Sequence, residues 1–272
     1  MDKSEISLGN GNDHINIVST RNTATAVVDS YIVTGDGNDT LDVTVTYGRA
    51  PLSNLLGPAM DNAFVNMGNG NDQINITGDV LRSDLYAGSG NDVVNINGAV
   101  TSSTVSLGSG NDVLHLSATP GGVAATPGST GATLDGGTNT ALSYGQGKLG
   151  DILSLDQSYF NHFKSSPLTT IRNFEALNLG FSDGQRNALD LDSLLSGIKT
   201  STLKSANFSS LIISGDTGGG KIYDSIDLGG NATYKGGNIS VDGMDQTYNW
   251  YTAYEGTSQQ MEVFVATGML IA

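Results

Sequence analysis

The strongest constraint on this chain is a short unit that recurs five times. It reads Gly9-Asn10-Gly11-Asn12-Asp13, Gly35-Asp36-Gly37-Asn38-Asp39, Gly68-Asn69-Gly70-Asn71-Asp72, Gly88-Ser89-Gly90-Asn91-Asp92 and Gly108-Ser109-Gly110-Asn111-Asp112. The steps between first glycines are 26, 33, 20 and 20 residues. After each Asp the apolar residues alternate: Ile15 and Ile17, Leu41 and Val43, Ile74 and Ile76, Val94 and Ile96, Leu114 and Leu116. Period two is a strand with one buried face. A second short strand precedes each unit, as in Tyr31-Ile32-Val33 and Val105-Ser106-Leu107. The two equal steps align Gly78 with Gly98, Val80 with Val100, Ser83 with Ser103 and Leu85 with Val105. Each repeat is therefore strand, glycine turn, strand, second turn. One such unit cannot bury its apolar side alone, whereas units stacked as coils share a continuous core. The expected fold is all-β: a parallel β-solenoid of coils of about 20 residues over 1–160, then a mixed, mainly β cap over 161–272. The longer steps read as coils with insertions, the 33-residue one holding a Gly- and Pro-bounded loop from Gly48 to Pro58.

Composition narrows the function. The 272 residues carry a net charge of −15, 37 glycines and no cysteine, with a hydrophobic fraction of 38%. So acidic a chain has too little Lys and Arg to hold a phosphate backbone or an anionic membrane. The hydrophobic share is that of a folded protein, and the glycine excess that of one that turns often. Without cysteine there is no disulfide, thiolate zinc site or Cys nucleophile, and a metal ion is the obvious substitute staple. Met1-Asp2-Lys3-Ser4 leads straight into the first repeat, so no cleaved leader is expected. No apolar run approaches the ~20 residues needed to span a bilayer.

The repeated Asp carries the chemistry. Stacked parallel coils bring identical residues about 4.8 Å apart. A column of Asp13, Asp39, Asp72, Asp92 and Asp112 repels itself, and nothing basic lies in these turns. A cation between successive turns removes the repulsion. Glycines expose carbonyl oxygens and permit positive φ. Carboxylate and carbonyl oxygens without His or Cys form a hard-cation set, and calcium tolerates irregular geometry better than magnesium.

The units resemble RTX-type calcium repeats, G-G-x-G-x-D-x-U-x. The first glycine of that pattern is replaced here by Leu8, Thr34, Met67, Ala87 and Leu107, and the nine-residue tandem period is absent. The form x-G-x-G-N-D-x-U-x on coils of about 20 residues is similar to the calcium-dependent solenoid of certain giant bacterial adhesins, one of which binds ice. The resemblance implies Ca2+ as the bound ion and the five Asp as side-chain ligands. It implies completion by carbonyls within Gly9-Asn10-Gly11, Gly35-Asp36-Gly37, Gly68-Asn69-Gly70, Gly88-Ser89-Gly90 and Gly108-Ser109-Gly110. Ala132 to Gly137 starts another coil that resumes, displaced, at Gly150-Asp151-Ile152, which makes Asp151 the candidate sixth ligand. An ice-binding surface would need a row of Thr beside the row Asn12, Asn38, Asn71, Asn91 and Asn111; the neighbouring row is Asn10, Asp36, Asn69, Ser89 and Ser109. Turn chemistry, with Asn bonding its own backbone, accounts for the Asn row.

Beyond the repeats, Ile171 to Leu179 reads as a strand and Leu189 to Ile198 as a short helix with an acidic first turn. Strands are also expected at Ser210–Asp216, Tyr248–Tyr254 and Met261–Val265. This order, over about 165 to 265, resembles the C-terminal region of large adhesins exported by type I secretion. Catalysis is not expected. His14 and His115 flank apolar strand positions as solvent-facing residues, and His162 sits among packing aromatics. Gly215 to Lys221 is Gly-rich but lacks the Gly-Lys-Ser/Thr ending of a phosphate loop. The solenoid enzymes that modify polysaccharides need clustered carboxylates with a basic residue, whereas Arg21, Arg49, Arg82 and Lys148 are scattered. The resemblance thus implies a calcium-dependent folding and secretion module of an extracellular, surface-associated adhesin serving attachment or biofilm. Its partners would be calcium and the type I secretion machinery, with a surface glycan or protein bound by other parts of the parent chain.

Overall fold

The structure is a computed structural model that describes residues 1–20, 25–46, 58–117, 131–138, 150–156, 159, 170–174 and 176–178, and after Asn178 the strands named below. Alternation dictates the first coil: β1 (Glu5–Asn10), the glycine turn, β2 (His14–Ser19) and a short β3 (Val27–Val28). The pattern repeats as β4 (Tyr31–Asp36), β5 (Thr40–Val45) and β6 (Met60–Asp61), then β7 (Phe64–Asn69), β8 (Gln73–Thr77) and β9 (Val80–Leu81). It continues as β10 (Asp84–Ser89), β11 (Val93–Asn97) and β12 (Val100–Thr101), then β13 (Thr104–Ser109) and β14 (Val113–Ser117).

First strands stack on first strands, second on second and third on third, all parallel. Register is strict: Gly9, Gly35, Gly68, Gly88 and Gly108 pair in a column. The longer steps keep this register because their extra residues fall between the second and third strands of the coil. Most of Gly48 to Pro58 lies outside the described residues. Inward positions form one continuous core, in which Ile32, Leu41, Val43, Val65, Ile74, Leu85, Val105 and Leu114 are fully buried. Burying such a side chain contributes about 1.5–3 kcal/mol, so stacking is the main stabilising force.

The described strands on either side of the expected boundary at 160 belong to the same parallel stack. To it are added β15 (Thr133–Asp135), β16 (Ile152–Leu155), β17 (Thr170–Arg172) and β18 (Ala176–Asn178). Of the strands that follow, β19 (Ala188–Asp190), β20 (Ser210–Ser214), β21 (Ser225–Asp227), β22 (Thr233–Ser240), β23 (Thr247–Glu255), β24 (Gln259–Ala266) and β25 (Leu270–Ile271), two prolong the second sheet in parallel. These are β20 and β24; β23 and β22 then close it as antiparallel strands. The remaining three, β19, β21 and β25, make a separate parallel sheet.

Two local expectations are corrected. The segment Ile171–Leu179 is not one strand: Asn173, at φ 60, turns the chain from β17 in one sheet to β18 in another. The first two residues of the expected helix, Leu189 and Asp190, lie in strand β19, because the alternation over Ala188–Asp190 is used in parallel pairing with Ser225–Asp227. The rest of that segment lies outside the described residues.

Candidate metal centre

The glycine turn joins the first sheet to the second, and its Asp has the same parity as the core residues that follow it. In β5 that parity is Leu41, Val43 and Val45, all inside, so Asp39 also points inward. Asp39, Asp72, Asp92, Asp112 and Asp151 are each at most 2% exposed, a column of acids inside an apolar tube. Asp13, in the end coil, is half-buried.

One oxygen of each carboxylate has a defined task. The backbone N–H of Asp13 donates to Asp39 Oδ1 (2.8 Å), that of Asp39 to Asp72 (2.7 Å) and that of Asp72 to Asp92 (2.7 Å). The Asp92 N–H donates to Asp112 (2.8 Å) and the Asp112 N–H to Asp151 (2.9 Å). Asp151 is thus the sixth rung. The other oxygen differs: Oδ2 of Asp39, Asp72, Asp92 and Asp112 is buried and has no hydrogen-bond partner. A buried unpaired charge is costly, so each Oδ2 must take up a proton or a cation. Burial pushes the carboxyls of Asp72 and Asp112 up to about 6 and that of Asp92 to about 7. The N–H bonds oppose that rise, and for Asp92 the charges of Asp112 and Asp72 add to it.

The adjoining Asn forms a second ladder running the other way. The N–H of Asn38 donates to Asn12 Oδ1 (2.8 Å), and the pattern repeats from Asn71 to Asn38 (2.7 Å), Asn91 to Asn71 (2.7 Å) and Asn111 to Asn91 (2.9 Å). The Asn row therefore bonds the backbone of the following coil rather than its own. Outside both ladders, Asp36 faces solvent and accepts from Asn69 Nδ2 at 2.7 Å. The carbonyls of Asp36, Asn69 and Ser89 accept the N–H groups of Gly11, Gly37 and Gly70 at 2.7–2.8 Å.

The turn glycines bring backbone carbonyls of adjacent coils close together. A Cβ built on Gly37, Gly70, Gly90 or Gly110 would overlap the carbonyl oxygen of Gly11, Gly37, Gly70 or Gly90 in the preceding coil. The same holds for Gly35, Gly68, Gly88 and Gly108 against Gly9, Gly35, Gly68 and Gly88. These carbonyls point along the stack into room that only glycine leaves. At Gly110 the built Cβ would also lie 3.2 Å from Asp112 Oδ1, the oxygen that accepts the Asp92 N–H. Among the described residues no three Asp, Glu, His or Cys side chains converge. A cation here would be held by a partnerless carboxylate oxygen and backbone carbonyls, not by a cage of side chains. That all-oxygen, irregular set suits calcium.

Several features were not visible beforehand. Lys3, Asp29, Asn62, Arg82 and Ser102 all take positive φ between 44 and 52, one per coil, where the third strand turns into the next coil. Beside them lies a shallow groove of about 510 Å³ bordered by Lys3, Glu5, Asp29, Tyr31, Arg82 and Asp84. Its Arg82 is bound to Asp61 at 2.5 Å and its Asp29 accepts from Asn62 at 2.7 Å. His115, read as solvent-facing, is half-buried, and burial lowers its pKa. His14 is exposed and bonds Asp42 at 2.7 Å. Burial pushes the Asp42 carboxyl up, but the Asn75 and His14 hydrogen bonds and the His14 charge outweigh it, so its pKa falls. His162 lies outside the described residues.

The chain matches no family model, no curated protein and no solved structure.

Proposed function

We propose that the chain is a calcium-stapled β-solenoid that serves as the folding and export module of a secreted bacterial surface adhesin. The observation that carries the reading is the column of buried carboxylates whose Oδ2 atoms lack partners. Asp39, Asp72, Asp92 and Asp112 would hold the ions, together with carbonyls of the glycine turns; Asp13 and Asp151 extend the column at its two ends. Bound calcium supplies charge neutralisation and ties adjacent coils together. The chain itself supplies the rest: N–H groups that fix each carboxylate, glycines that admit the carbonyls, and an apolar core that excludes water.

The adhesin and secretion parts rest on the resemblance of the repeats and of the region after 165. Where calcium is scarce the acidic turns disfavour stacking and the chain stays open for export. Outside, millimolar calcium meets sites of the affinity usual for extracellular modules, ~10⁻⁴–10⁻³ M, and binding drives folding by linkage. Calorimetric titration of chelator-stripped protein tests this, with circular dichroism in parallel. Binding of several calcium ions and a calcium-dependent β spectrum are expected. A spectrum and melting midpoint that chelator leaves unchanged would refute the metal and the export argument together.

A further inference from the structure

Three aromatic rings stand on the outer face of the first sheet. Glu5, Tyr31, Phe64 and Asp84 form one outward column, paired in register. Further along the same column stand only Thr104, Thr133 and Thr170. Tyr31 and Phe64 stack with centroids 4.6 Å apart and planes 7° from parallel, and Tyr86 tilts against Phe64 at 5.5 Å. Faces in contact lie ~3.5–4 Å apart, so the parallel pair at 4.6 Å is slipped, and each ring keeps part of a face bare. Tyr31 is 44% exposed and Tyr86 37%. Stacking across strands stabilises the sheet, which accounts for the pairing of the rings but not for the trench beside them.

That trench is the groove of about 510 Å³, and it runs along the stack. One wall is the column holding the rings; the other is the corner column Lys3, Asp29, Asn62 and Arg82. Between the walls lie the small residues Ser4, Ser30 and Ala63, which form the floor. At ~4.8 Å per coil the four coils it crosses span about 14 Å, and its volume is that of a small-ligand site, ~300–1,000 Å³. The polar wall is fixed in advance: Asn62 donates to Asp29 at 2.7 Å and Arg82 to Asp61 at 2.5 Å. Among the described residues, the side chains of Lys3, Glu5 and Asp84 have no hydrogen-bond or ion-pair partner. The lining carries three carboxylates and two cations, a near balance in a chain of −15.

We propose that this groove binds a neutral oligosaccharide, laid along the stack with its pyranose rings against the aromatic wall. A pyranose is apolar on its C–H faces and edged by hydroxyls that both donate and accept. The bare ring faces of Tyr31 and Phe64 match the C–H faces. Lys3, Asn62 and Arg82 offer donors to the hydroxyls, and Glu5, Asp29 and Asp84 offer acceptors. Neither sign of charge is favoured. Acidic sugars meet three carboxylates, and a basic chain meets Lys3 at one end of the groove and Arg82 at the other. The groove lies on the outer face and the acid column inside, so the inference holds whether or not that column binds calcium.

The test applies the full chain, in calcium-containing buffer, to an array of neutral, uronate-bearing, sialylated and amino-sugar glycans. The best-retained neutral chain is then titrated as the free oligosaccharide by calorimetry. Retention of neutral chains is expected. Tyr31→Ile keeps apolar bulk and strand propensity but removes the flat ring, and should weaken binding at least ~10-fold, with circular dichroism reporting that the variant is folded. Tyr31→Phe keeps the ring and should bind like the parent, as should Tyr234→Ile, whose exposed ring lies outside the groove. A further readout needs no variant: the bound glycan should shift the ring resonances of Tyr31 and Phe64 and leave those of Tyr234 in place. Retention of no neutral chain would overturn the proposal, as would binding that Tyr31→Ile leaves unchanged or that moves Tyr234 instead. Preference for amino-sugar chains or for oligolysine would assign the groove to a cationic partner, and preference for uronates or sialic acid to an anionic one; either overturns it too.

Discussion

At the scale of single residues, Asp72, Asp92 and Asp112 would each, on the proposed reading, switch between a proton and a cation on one oxygen. Oδ1 is tied to the preceding coil, so only Oδ2 is open to a proton or a cation. Replacing Asp92 separates the two roles. Asp92→Ala leaves the Asp72 N–H buried and unpaired, and should cost about 1–3 kcal/mol in urea unfolding with or without calcium. Asp92→Asn keeps an acceptor for that N–H and removes the charge. In chelator it should match the parent to within about 1 kcal/mol, whereas in calcium it should lose part of the metal-induced gain. The pH dependence follows from the same oxygens. The folded carboxyls of Asp72, Asp92 and Asp112 titrate at about 6, 7 and 6, above the ordinary 3.8. Between these limits the folded state holds protons that the unfolded chain has released, so stability falls as pH rises. Chelated protein should therefore melt higher at pH 5 than at pH 8. Saturating calcium should flatten or reverse that trend, because protons and cations compete for the same sites. Melting curves at both pH values, with and without chelator, decide it.

At the scale of the coil, two of its three corners turn with opposite chemistry. In the glycine turn the conformation and the close carbonyl both exclude a side chain. At the other corner the positive-φ residues Lys3, Asp29, Asn62, Arg82 and Ser102 all carry one. An L-residue in this region costs roughly 1–2 kcal/mol unless it is Gly, Asn or Asp. Arg82→Gly and Arg82→Ala both delete the ion pair to Asp61, so their difference isolates the backbone. Arg82→Gly should be the more stable by about 1 kcal/mol in urea unfolding. This contrast also shows what the sequence could reveal. The glycine turn was legible because its constraint is steric and admits one residue type, so the type recurs. The inward strand positions were legible because apolar burial imposes period two. The second corner selects a backbone angle that five residues of different character adopt, so no letter repeats. The two opposed ladders were hidden for another reason. Asp and Asn each recur in the text, but whether a side chain bonds its own turn or the next coil depends on stacking, which only three dimensions supply. Leu189 and Asp190 show the reverse failure, since at these two residues a local helix pattern yielded to pairing with a distant strand.

At the scale of the whole molecule, the charge of −15 and the stacked architecture pull against each other. Stacking brings like charges together in the column, and an acidic surface adds its own repulsion. Monovalent salt screens charges exposed to solvent but reaches a buried column poorly. A cation bound inside would act on the column directly, each divalent ion cancelling two charges. The two effects can be separated at constant ionic strength. Chelated protein taken from low to ~0.15 M sodium chloride should gain only a few degrees of melting midpoint, since the Debye length there is already about 8 Å. Replacing part of that salt by millimolar calcium should raise the midpoint much further. Equal magnesium should do less, because it sheds water reluctantly and demands a regular octahedron that one carboxylate oxygen and turn carbonyls do not build. If magnesium or sodium at matched ionic strength reproduced the calcium effect, the stabilisation would be surface screening, and the buried Asp would hold protons instead.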